Sequence, residues 1–91
     1  MRMATEAVWP MVMSALGFED DAYLLAMHAG EFEAEAENVL QLLTVMRAAA
    51  RQEDAESTQD AAAELVIALE HLAHHLNELL PALRAKLDLE R

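Results

Sequence analysis

Residues 60–80 read DAAAELVIALEHLAHHLNELL, and the fold turns on this stretch. Leu65, Val66, Leu69, Leu72, Ala73, Leu76, Leu79 and Leu80 recur at helical spacing and give one broad apolar face on an amphipathic helix. Glu64, Ile67, His71, His74, His75 and Glu78 fall on the other side. Three of the four histidines thus lie within five residues, and the spacing turns them away from the core. The seam Leu65, Leu69, Leu72, Leu76, Leu79, Leu83 continues beyond Pro81. Proline removes a donor and crowds the carbonyl four residues back, so a kinked or restarted turn is expected over 81–91.

Towards the N-terminus, 31–52 predicts a second long helix. Phe32, Ala36, Val39, Leu43, Met46 and Ala50 form a heptad-like seam, widened by Leu42 and Ala49. Its opening, EFEAEAE, alternates with a strand's period of two. Ala and Glu are strong helix formers and poor strand formers, and they overrule the alternation. Gly30 marks the expected start. The polar segment 53–59 reads as a loop, with Ser57 as N-cap and Asp60 as a capping-box partner. Helices over 31–52 and 58–80, each about 33 Å long, with a short connection make an antiparallel hairpin. Residues 1–30 hold one or two short helices. One starts at Pro10 and stops before Gly17; the next is capped by Asp20 or Asp21, with His28 complementing the dipole at its end.

The expected architecture is therefore all-α, a single small domain over 1–91. Both long helices carry more apolar surface than one hairpin hides. The N-terminal segment with Trp9 and its methionines is expected to fold over part of it. Two hairpins are expected to pair as a C2 dimer resembling a four-helix bundle.

Charge narrows function. Seventeen Asp plus Glu against six Lys plus Arg give −11, and residues 4–46 hold eight acids and no Lys or Arg. This disfavours direct contact with nucleic acid or an anionic membrane, both of which call for clustered basic residues. It favours a basic protein partner. The expected contact residues are the carboxylates Asp20, Asp21, Glu31, Glu33, Glu35 and Glu37, with Trp9, Met11 and Met13 as adaptable apolar anchors. The reading is a non-enzymatic interaction module, in concrete form an inhibitor or anti-activator that covers a nucleic-acid-binding surface on its partner. Cysteine is absent, which fits a reducing cytoplasm. The N-terminal apolar run faintly resembles a signal peptide, but Glu6 and Pro10 interrupt it. No apolar run is long enough to span a bilayer.

The histidines supply the alternative, a metal-binding helical protein. His71 and His75 are four apart, the spacing at which two imidazoles share Zn, Ni or Cu; His74 and Glu78 form a second such pair. Either pair needs further ligands from elsewhere. A di-iron centre of the ferritin type requires Glu-x-x-His, whereas Ala68, His71 and Leu72 stand three residues before His71, His74 and His75. No nucleophile elbow, P-loop or dinucleotide fingerprint occurs. Protonation of the histidine stripe in mild acid would also make a contact there pH-sensitive.

Overall fold

The computed structural model describes residues 2–87, with side chains from residue 8 onward. It contains three helices: α1 (Arg2–Ala15), α2 (Ala22–Arg51) and α3 (Ala55–Lys86). Among the described residues there is no strand. α2 and α3 form the hairpin, and α1 packs on α2. The principal extents are 50 × 37 × 16 Å, so the molecule is a thin slab.

The hairpin helices are longer than the sequence predicts, and each extension crosses a residue read as a boundary. α2 passes through Gly30. One glycine costs a helix interior about 1 kcal/mol, and the Leu, Ala, Met and Glu around it outweigh that. The position also lies under the Trp9 indole: a Cβ there would be 3.6 Å from Trp9 Cδ1. α1 likewise passes through Pro10 and α3 through Pro81. Each proline leaves one carbonyl without its helical donor; beyond Pro10 the buried Met13 anchors the helix, and beyond Pro81 the half-buried Ala82 and Leu83 pack against the core. His28 consequently lies in the second turn of a 30-residue helix rather than at a C-terminal end. Asp21 occupies the N-cap position of α2, but its side chain makes no capping hydrogen bond. Residues 88–91 of the expected terminal turn lie outside the described residues.

Two helix ends close in the same way. After α1, Gly17 N–H bonds to Ser14 O at 3.0 Å and Phe18 N–H to Met13 O at 3.1 Å, with Gly17 at φ 97°. After α2, Glu53 N–H bonds to Ala50 O and Asp54 N–H to Ala49 O, both at 3.0 Å, with Glu53 at φ 57°. Both are Schellman motifs, in which a left-handed residue lets two amides satisfy the last carbonyls. Asp54 then caps α3 by accepting from Ser57 N–H at 3.0 Å. The cap is thus Asp54, three residues earlier than expected, and the connection shrinks to 52–54.

The core cluster is Met13, Phe18, Leu25, Ala26, Ala29 and Leu79, flanked by Trp9, Leu16, Phe32 and Leu83. It sits where α1 and its turn meet the open end of the hairpin. Lys86 fastens that end: its Nζ donates to Gly17 O at 3.1 Å and stands 5.1 Å above the Phe18 ring. Towards the hairpin turn the seam thins to Leu42, Ala61 and Ala68.

Candidate functional site

α3 turns only part of its leucine seam inward: Leu65, Leu72, Leu79 and Leu83 are buried or half-buried, whereas Leu69 and Leu76 are exposed. Its buried or half-buried positions include the run Ala61, Leu65, Ala68, Leu72, His75 and Leu79, again at steps of four and three. Val66, Leu69, Ala73, Leu76 and Leu80 are exposed on the adjoining flank. An apolar arc this wide holds two seams, and short alanines let the helices approach more closely than leucines do. His75 therefore faces inward, not outward. The sequence contains the signal: counting from Ala61 in steps of four and three reaches His75.

Across the seam His75 meets His28. Their Nδ1 atoms are 3.1 Å apart, so one ring donates and the other accepts. His75 Nε2 lies 3.5 Å from Glu31 Oε1. One turn further along α3, His71 Nδ1 lies 3.5 Å from Glu35 Oε1, and Asn38 Nδ2 donates to Glu35 Oε2 at 3.1 Å. The His74 ring is 6.0 Å from that of His28 and 5.2 Å from that of His75. Positions 28, 31 and 35 on α2, and 71, 74, 75 and 78 on α3, each lie along one helix edge. All four histidines and two glutamates thus line one side of the hairpin.

Of the residues read as metal ligands, His75 and His74 adjoin His28, while His71 is engaged with Glu35 instead of sharing a site with His75. Glu78 is exposed. The sequence reading gives His28 a helix-dipole role instead of a ligand role, because breaking the helix at Gly30 places it at a helix end outside the hairpin.

The residues read as partner contacts do not form one surface. Met13 is 2% exposed and belongs to the core, which corrects its assignment as a docking anchor. α1 presses it against α2 and Leu79. Trp9 is half-buried, and its Nε1 donates to Glu33 Oε1 at 2.9 Å. Met11 is exposed, as are Asp20 and Asp21 at the turn into α2. The acids alternate in sequence, so a helix divides them. Glu31 and Glu35 face the histidine edge, whereas Glu33 faces α1 and Glu37 lies one turn beyond it. A separate shallow groove near the hairpin turn, lined in part by Asn38, Asp60 and Glu64, brings no imidazole or cation to those acids.

No protein-family model matches the chain, and no curated protein or solved structure matches it either.

Proposed function

We propose that the chain is a helical interaction module that works as a pair of identical copies, joined through the exposed apolar flank of α3. The observation that carries this reading is the stripe Val66, Leu69, Ala73, Leu76 and Leu80. Its four large members are 54, 45, 41 and 38% exposed. They repeat at three and four residues, the spacing of a helix-pairing seam. The total surface is 6778 Å², against about 5,300 Å² for a monomer of this mass. The excess is on the order of 1,500 Å², while a standard interface buries about 800 Å² per partner. Stable domains bury their helices between layers, and a slab 16 Å thick provides only one. A second copy fits the missing layer because its stripe has the same length and pitch. The stripe's five positions carry no charge, so pairing there buries no carboxylate of the stripe itself.

Such a pair doubles the acidic surfaces carried by α2, and these suit a basic protein surface of the kind that otherwise binds nucleic acid. The support is the charge balance and the lack of Lys and Arg over 4–46. Sedimentation equilibrium at tens of micromolar is expected to return about twice the 10.1 kDa of one chain. The Leu69→Glu/Leu76→Glu variant should return a single chain with its helicity retained. Wild-type protein that sediments as one chain overturns the pairing. Acidic recognition is tested separately, by titration against a nucleic-acid-binding domain in rising salt. Binding that ignores ionic strength overturns it.

A further inference from the structure

We propose that His28, Glu31 and His75 form a binding site for a divalent late first-row transition ion, zinc in type, spanning the α2–α3 seam. One ligand atom from each residue lies within 4.8 Å of the other two. The two imidazole Nδ1 atoms are already 3.1 Å apart, close to the separation of about 3.3 Å that a tetrahedral ion with bonds near 2.05 Å imposes on two nitrogens. Glu31 is more than half exposed, and its Oε1, 3.5 Å from His75 Nε2, would have to swing towards the Nδ1 side of the ring to join the same ion. Two imidazoles and a carboxylate are the donor set of open zinc sites, with the fourth position left to water.

The placement is costly without a ligand. His75 occupies a step of a seam otherwise filled by Ala and Leu, and only 14% of its side chain is exposed. Facing it, α2 supplies a second imidazole where an aliphatic side chain would pack. The two rings share a single N–H···N bond, which a packed leucine pair would replace with little loss. A cation uses both lone pairs at once. It also ties α2 to α3 near the open end of the hairpin, where no covalent connection holds them.

The site differs from the His71–His75 pair that helix spacing alone suggests. His71 lies on the exposed edge and is engaged with Glu35, so it serves as the control.

The experiment is titration of the untagged full chain with zinc chloride, followed by calorimetry and by thermal unfolding. One zinc per chain and a rise of several degrees in Tm are expected. Glu31→Gln, an exposed change that leaves the fold intact, should weaken binding about tenfold or more. His28→Gln and His75→Gln should abolish the rise in Tm, and His71→Gln should leave both readouts unchanged. Cobalt bound in place of zinc should show the visible bands of a tetrahedral ion. No Tm response in the wild type, or binding lost in His71→Gln while His28→Gln retains it, overturns the site.

Discussion

His28 and His75 face each other across the hairpin seam with their Nδ1 atoms 3.1 Å apart, one imidazole from each long helix. Without an ion the pair is a polar inclusion in an apolar interface. Changing one ring to leucine strands the other; changing both gives a continuous aliphatic seam. His28→Leu/His75→Leu is therefore expected to stabilise the metal-free protein by about 1–2 kcal/mol. Each single variant should be neutral or less stable than wild type. Urea unfolding of all four proteins forms a double-mutant cycle that checks this. A double variant less stable than both singles would show that the histidines support the fold themselves.

The pair also shows how far the sequence could be read. The all-helical class follows from composition and spacing, and the structure has it. The hairpin follows from two periodic runs joined by a short polar connection. The faces were not legible, because α3 is apolar over so much of its circumference that two seams share its leucines. The choice between them depends on how closely two alanine-rich surfaces approach, which is a property of both helices together. Gly30 and Pro10 misled for a related reason. Each has a local cost, which the residues around it and contacts such as Trp9 over Gly30 together outweigh. Once Gly30 is taken as a boundary, His28 leaves the hairpin and the histidine cluster loses its fourth member.

The two Schellman motifs give matched tests of backbone conformation. Gly17 adopts φ 97° without a Cβ, while Glu53 adopts φ 57° with one. Gly17→Ala should destabilise by about 1 kcal/mol or more, and Glu53→Gly should stabilise by about 0.5–1 kcal/mol, because the left-handed region disfavours side chains. Gly30 is the counter-case, since it is helical and a Cβ would meet Trp9 at an ordinary 3.6 Å. Gly30→Ala is expected to stabilise by about 0.5–1 kcal/mol. Denaturant midpoints report all three signs.

Asp54 links the end of α2 to the start of α3. The hydrogen bonds from Ser57, the backbone one foremost, hold its carboxyl below the usual aspartate value of 3.8. A carboxylate whose pKa falls on folding adds stability that is complete above its unfolded value and is lost as pH drops through the folded value. Asp54→Ala should therefore lower Tm at neutral pH, and the gap from wild type should close as the pH is brought below that range. Thermal melts across an acid series measure the gap. A gap that stays constant in acid would mean that the carboxylate contributes no capping.

Ala68 and Ala73 lie five residues apart on α3 and have opposite environments. Ala68 is 2% exposed against α2, whereas Ala73 is exposed within the stripe of Val66, Leu69, Leu76 and Leu80. Ala68→Leu must push the hairpin helices apart, and is expected to cost about 1–3 kcal/mol. Ala73→Leu meets no packed neighbour within the chain. It adds apolar surface to the proposed pairing face, so the fold should be retained and the dimer tightened, with a lower dissociation constant by sedimentation. The sequence alone places Ala73 with the leucines and leaves Ala68 off the apolar face, so the two substitutions separate the two seams directly. Equal loss from both changes would mean that Ala73 is buried, and would move the contact between α2 and α3 back to the leucine stripe.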